Sequence, residues 1–295
     1  MISQEKIERL VSPEKFYPPE LNFGDLCGNK KFIEALISQV TILRESQFWA
    51  SELLEHIQEE RFKKLILSLI ELSPFWRDLF AEHGLSKDSS FSLEKLKLLP
   101  IFERKTLEQL GDKIYVPGSG TGPLHYKYSS GTTGLPLKTM FSAGELIISD
   151  FPFRFRHPAF DNILLQELLS RKFVVILGRP GDRATLTSDF ALHAFSELTS
   201  SDLEDVSMRK KIYAKIEEAK PALLVGYSSL ILKLAEHVNE DGIRLPLFAV
   251  RLSSEPISLE GQGLVENVMG VPIINMFGGS SAGLMGFECP GNLGK

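Results

Sequence analysis

Cysteine is scarce: the 295-residue chain holds 2, Cys27 and Cys289, near its two ends. Two distant thiols make no disulfide framework, no zinc ribbon and no CxxC redox site. A reducing, cytoplasmic setting fits them. Long apolar runs are also lacking. Stretches such as Phe173 to Leu177 fall far short of the roughly 20 residues that a membrane helix needs. The N-terminus, Met1-Ile-Ser-Gln-Glu-Lys-Ile-Glu-Arg, is charged and without the apolar centre of a signal peptide. Nor is there an excess of positive charge, since 33 Lys+Arg stand against 38 Asp+Glu, a net −5. Nucleic acid and anionic membrane are therefore poor candidates as partners, because both demand a basic surface. No repeat period appears. The histidines, among them His125 and His157, show no metal-ligand spacing and read as neutral surface or core residues. Arg154 and Arg156 read as an anion-attracting pair or, equally, as a solvated face. What remains is an ordinary globular composition, 43% hydrophobic and 24% charged, long enough for one large core or two smaller ones.

The first third reads as helix. Phe62, Leu65, Ile66, Leu69 and Ile70 recur at the spacing of one apolar helix face, and Ser73-Pro74 ends it. Ser92 is a candidate N-cap for a short helix carrying Leu93, Leu96 and Leu99, stopped by Pro100. Another short helix runs to Leu110, with Gly111 just past its end. These residues define a helical region over 1–112 and leave an α/β region over 113–295.

In the second region short apolar runs alternate with helical stretches. Phe173 to Leu177, Ala222 to Val225, Leu247 to Leu252 and Pro272 to Met276 read as buried strands, with helices near 228–239 and 258–269. The alternation predicts an α/β fold with a mainly parallel sheet flanked by helices. Ligands bind such sheets at the carboxyl ends of the strands. Those ends are Gly226-Tyr227, Ser253-Ser254-Glu255-Pro256 and Phe277-Gly278-Gly279-Ser280-Ser281. The same Ser, Gly and Pro clusters read equally well as turns.

The segment Tyr128-Ser129-Ser130-Gly131-Thr132-Thr133-Gly134-Leu135-Pro136-Leu137-Lys138 suits a polyphosphate. Gly131 and Gly134 let the backbone bend close to a ligand. Successive N–H groups then form a concave anion site, and the hydroxyls of Ser129, Ser130, Thr132 and Thr133 add donors. Lys138 supplies a positive charge. The spacing fits neither a Walker A loop nor GxGxxG. A flexible Ser/Thr/Gly linker is the plainer alternative, and a solvated surface lysine the plainer one for Lys138.

YSSGTTGLPLK resembles the phosphate loop of the adenylate-forming superfamily of acyl-CoA synthetases, luciferases and peptide-synthetase adenylation domains. Leu72-Ser-Pro-Phe-Trp-Arg-Asp-Leu-Phe, Leu98-Leu-Pro-Ile-Phe, Leu224-Val-Gly-Tyr-Ser-Ser, Ser253-Ser-Glu-Pro and Phe287-Glu-Cys-Pro are similar, in the same order, to segments of its phenylacetate–CoA ligase-like and CapK-type branch. The resemblance implies ATP-dependent activation of a small-molecule carboxylic acid as an acyl-adenylate, followed by transfer to CoA or another thiol. It implies ATP and AMP as ligands, with Mg2+. On that basis Ser129 to Gly134 and Lys138 hold the β,γ-phosphates, with Lys138, Thr132 and Thr133 as the catalytic set. Ser254, Glu255 and Pro256 lie beside the adenine. Phe277 stacks near it, followed by Gly278, Gly279 and Ser280, and Tyr227 borders the acyl pocket. Ordinary alternatives are core aromatics for Tyr227 and Phe277, and for Glu255 the start of the following helix.

Two departures from the family pattern stand out. The family's Mg2+-binding Glu is Ser281 here, and a hydroxyl is a poor ligand for a hard dication. The family chain also continues past FECP, with a ribose-binding Asp, a hinge and a small lid bearing the catalytic lysine, which have no counterpart before Lys295. The expectation is therefore an incomplete N-terminal domain without its lid, with an exposed sheet edge and apolar surface. Alternatives are a degenerate, non-catalytic nucleotide-binding relative, a half of a split ligase whose second chain supplies the lid, and a structural α/β domain without nucleotide.

Overall fold

The computed structural model describes residues 2–18, 29–116, 124–128, 138–160, 174–177, 191–194, 198–253, 255–279 and 283–288. Its N-terminal part is helical: α1 (Gln4–Val11), α2 (Lys30–Ser46), α3 (Ser51–Leu72), α4 (Pro74–Glu82) and α5 (Arg104–Leu110). In α3 the residues Phe62, Ile66 and Ile70 are buried against Phe80 and Leu85. Leu65, placed on that face by its spacing, is instead 56% exposed. The apolar stripe is narrower than the periodicity suggests, because Leu65 sits at its margin. Ser73 both closes α3 and opens α4: its backbone N–H donates to Leu69 O and its Oγ accepts from Trp76 N. Pro74 takes the first helical position, where the missing N–H costs nothing. Leu93–Leu98 is a 3₁₀ turn rather than an α-helix, and Ser92 makes no side-chain cap bond. Gly111 follows α5 with φ +53°, a conformation that favours glycine.

β1 (Leu124–Tyr128) and β2 (Lys138–Ser142) pair as an antiparallel hairpin, which the sequence reading did not anticipate. The chain then runs through α6 (Ala143–Glu145), a π-helical turn over Leu146–Asp150 and α7 (Phe151–Phe155). The main sheet has six strands in the order β4-β3-β5-β6-β7-β8. They are β3 (Val174–Leu177), β4 (Ala191–Ala194), β5 (Leu223–Tyr227), β6 (Ala249–Ser253), β7 (Ile273–Gly279) and β8 (Gly283–Phe287). The first five of that order run parallel, and β8 is antiparallel at the edge. The fold is therefore α/β with a mainly parallel sheet, as the alternation predicts. Each run extends or shifts by a few residues at its ends; Phe173 lies outside the described residues.

Helices α8 (Val206–Ala219), α9 (Ser228–Glu240) and α10 (Leu259–Met269) cover one face. Side chains alternate along the strands. Leu224, Val250 and Leu252 meet Ile212, Ile216, Ile231 and Leu234 on the helix-covered face. Leu223, Val225, Ala249 and Ile274 point the other way, to Phe32, Leu36 and Val40 of α2 and to Ile147, Phe151, Phe155 and Phe160. The sheet is thus buried on both sides, which is why its strands read as continuous apolar runs. Helix α2, from the helical region, forms part of the sheet's own core.

The two faces of α3 give a direct test. Replacing Ile66 by Ala is expected to cost about 2–5 kcal/mol of stability, and Leu65→Ala to stay within about 0.5 kcal/mol. Urea denaturation of the two variants measures the difference.

Candidate functional site

Two parallel strands, β5 and β6, end at one level, and the neighbouring β7 runs on past it. In register, Tyr227 of β5 pairs with Ser253 of β6, and Leu252 of β6 pairs with Asn275 of β7. From that level the chain leaves β6 into the turn carrying Glu255 and Pro256, while β7 continues to Phe277. The carboxyl edge foreseen from the strand order is therefore present.

Phe277 is 69% exposed. Its face is set by alternation. Ile273 packs in the helix-covered core, and Asn275 Nδ2 donates to Glu288, which also accepts from Gln262 of α10. Phe277 follows on that same face, beyond the start of the helices. An aromatic ring left in water at a strand end, rather than buried in a core, is an open platform for a planar group. Its cross-strand partner is Gly286. The two strands approach so closely next to it that a Cβ on Gly278 would stand 2.5 Å from the Gly283 carbonyl oxygen, whereas a Cβ on Gly279 or Gly286 would meet nothing within 4 Å.

Glu255 does not serve the start of α10, the ordinary role open to it from sequence. Ser258 does that, its Oγ accepting from Gly261 N. The Glu255 carboxylate reaches the neighbouring helix instead. It accepts from Ser229 N at 3.0 Å and Ser229 Oγ at 2.7 Å, in the first turn of α9. The Glu255 carbonyl accepts from Ser228 Oγ at 2.7 Å. A carboxylate at a helix N-terminus satisfies an orphan N–H and meets the positive end of the helix dipole. Tyr227 is the N-cap residue of α9 and packs partly against the helix-covered core. Ser228 and Ser229 end a family-like segment, and the sequence reading does not mark them as site residues. The signal was available: two serines opening a helix directly after a parallel strand, with an acid after the adjacent strand.

Lys138 opens β2, paired with Tyr128. The loop over 129–137 is therefore the connection of a hairpin whose two ends are held side by side. The loop residues Ser129, Ser130, Gly131, Thr132, Thr133 and Gly134 lie outside the described residues, as do Ser254, Ser280, Ser281 and the His125 side chain. Lys138 Nζ stands 4.3 Å from the Tyr126 ring centroid and 3.8 Å from Asp112 Oδ1. The lysine is thus engaged, but its partner Asp112 is mostly exposed and such pairs contribute about 0–1 kcal/mol. Tyr115 Oη donates to the Lys138 carbonyl at 2.6 Å, and Trp76 Nε1 to the Ile114 carbonyl at 2.9 Å. Through these bonds α4 and the turn after α5 anchor the base of the hairpin.

Arg154 and Arg156 form neither a solvated face nor a paired anion trap. Arg154 Nη1 reaches Met276 Sδ at 3.9 Å. The Arg156 guanidinium lies 3.9 Å from the Phe153 ring centroid and 5.1 Å from that of Phe287, and burial pushes its pKa down. His157 is buried, its ring 4.9 Å from that of Phe287. Its Nδ1 accepts from Ala159 N, so the imidazole is a neutral core group. Together they pin the edge strand β8 against the other side of the sheet. Among the described residues no group of three or more His, Cys, Asp or Glu side chains is placed to hold a metal, and no helix is long and apolar enough to cross a membrane.

No family model matches the chain. A phenylacetate-coenzyme A ligase from Thermus thermophilus is 26% identical over 244 residues, covering 77% of this chain and 50% of that protein. Two structures of a 2-hydroxyisobutyryl-CoA ligase share the fold. One is an open conformation with 2-HIB-AMP and CoA, at TM-score 0.51 and 17% identity over 78% of this chain and 51% of that one. The other, in the thioesterification state with the same ligands, has TM-score 0.51 and 19% identity over 78% of this chain and 50% of that one. The chain spans about half the length of the relatives it matches. The chain is thus similar in sequence to a phenylacetate-coenzyme A ligase and similar in fold to a 2-hydroxyisobutyryl-CoA ligase.

The geometry at the platform is testable by two glycines. Gly278→Ala is expected to cost about 1–3 kcal/mol through overpacking against Gly283, and Gly286→Ala to stay within about 0.5 kcal/mol. Chemical denaturation distinguishes them.

Proposed function

We propose that this chain is the nucleotide-binding part of an enzyme that activates a carboxylic acid with ATP and passes the acyl group to CoA or another thiol. The observation that carries the proposal is the exposed Phe277 ring, standing at the shared carboxyl edge next in line to the Glu255-Pro256 turn. A solvent-exposed aromatic beside an exposed turn suits a flat base, and adenine stacked on Phe277 with its edge toward Glu255 and Pro256 uses both.

In the proposed reaction the substrate carboxylate attacks the α-phosphorus of ATP, forming an acyl–oxygen–phosphorus bond and expelling pyrophosphate. The thiol then attacks the acyl carbon and AMP leaves. The first step brings two anions together, so donors and cations fixed near the phosphates are the chief need. The loop over 129–134 would supply N–H and hydroxyl donors there, with Thr132 and Thr133 among them. Lys138 at the end of that loop would exchange its weak pair with Asp112 for a phosphate oxygen. Tyr227, at the end of β5, would border the acyl group. Mg2+ would enter as the counterion of ATP; the described residues gather no acidic cluster for it. A second chain or further segment would supply the lid that excludes water.

Calorimetric titration tests the proposal. The chain is expected to bind AMP saturably, and Phe277→Ala to weaken it by about 1–3 kcal/mol, the worth of one base–aromatic stack. Absence of AMP binding by the unaltered chain contradicts the proposal. Ser281 in place of the family's Glu favours a second reading, a non-catalytic relative. AMP binding without acid-dependent ATP–pyrophosphate exchange, measured on the protein with its lid present, selects that reading.

A further inference from the structure

The family resemblance puts Glu255 beside the adenine, but the structure shows its carboxylate already committed. Both bonds of Oε2 go to Ser229, one to the backbone N–H and one to the hydroxyl. The carbonyl of the same residue is held by Ser228 Oγ. Ser228 is buried while Glu255 and Pro256 are exposed. One end of this three-bond clasp is therefore fixed in the core, and the other carries a surface turn. The clasp joins elements that no strand pairing joins at this point: β5 and β6 separate after Tyr227 and Ser253, one continuing into α9 and the other into the turn.

We infer that Glu255 is a positioning residue, which sets the height and orientation of the 255–257 turn above the sheet edge by fastening it to the N-terminus of α9. The inference deepens the proposed nucleotide site and rests on it for its binding consequence. It assigns to Ser228 and Ser229 a part in that site without contact to the ligand. Each bond is worth little to global stability, since a charge at an exposed helix N-terminus is a small, screened contribution. Its effect is local, because an unclasped turn has to be ordered again each time a ligand binds.

The test uses the full chain with AMP as the probe, and amide hydrogen exchange as a second readout. Glu255→Ala is expected to weaken AMP binding about tenfold and to speed exchange of the amide at Ser229 and of those after Glu255, with the thermal midpoint nearly unchanged. Glu255→Gln keeps an acceptor oxygen for both Ser229 donors and is expected to restore most of the affinity. Ser229→Ala is expected to reproduce part of the loss, and to add less than its own effect when combined with Glu255→Ala. If Glu255→Ala weakens AMP binding while Ser229→Ala and the exchange rates stay at the level of the unaltered chain, the carboxylate acts on the ligand itself and the inference is overturned. Unchanged exchange and unchanged AMP affinity in Glu255→Ala overturn it as well. If the unaltered chain binds no AMP, the nucleotide reading falls, and the exchange rates alone still decide whether the clasp orders the turn.

Discussion

The parallel, in-register pairing of β5, β6 and β7 is the constraint on which the rest depends. It brings Tyr227 level with Ser253, and Leu252 level with Asn275. β5 and β6 therefore leave the sheet at one height and β7 runs on past them to Gly279, though the three are far apart in sequence. The register is strongly specified because both faces are buried: a one-residue slip of β5 would turn Leu224 from the helix-covered face to the α2 side and expose the wrong set to each core. The alignment of the carboxyl edge is thus a consequence of how the core packs.

Packing also ties α2 of the helical region to the sheet. Phe32, Leu36 and Val40 of α2 cover the face of β5, β6 and β7 opposite α9 and α10. They share the cover of Leu223, Val225 and Ile274 with Ile147, Phe151, Phe155 and Phe160. The helix-covered face in turn fixes where α9 begins, and so where its first-turn N–H groups point. Glu255 meets one of them, and Phe277 rises on the same face a few residues past Asn275. Core, helix start and exposed ring form one chain of causes.

The parts of the fold written as periodic apolar runs were legible in the sequence. Ala222 to Val225, Leu247 to Leu252 and Pro272 to Met276 appear as strands within a few residues, because a doubly covered parallel strand must be apolar throughout. The hairpin around the 129–137 loop was missed. Its strands, LHYKY and KTMFS, carry polar residues and few aliphatics, although Leu124, Tyr126 and Tyr128 alternate as strand residues do. Leu65 misled in the opposite sense, since periodicity alone does not fix the width of a buried stripe. At the site, residue types pointed to Phe277 and Glu255 but not to what each does. Burial separates Phe277 as an open platform from a core aromatic, and only three-dimensional neighbours reveal that Glu255 serves α9 rather than α10. Arg154 and Arg156 show the same limit: their spacing leaves an anion pair and a solvated face open, whereas the fold sends one to Met276 and stacks the other on Phe153 and Phe287.

The central claim is that the crest shared by β6 and β7 receives an adenine ring. Photolabelling with 8-azido-ATP, followed by peptide mapping, tests it most directly. The account predicts covalent label on the peptides that carry residues 253–257 or 276–279, lost when excess AMP is present. Label confined to other parts of the chain, or label that AMP does not displace, would contradict it.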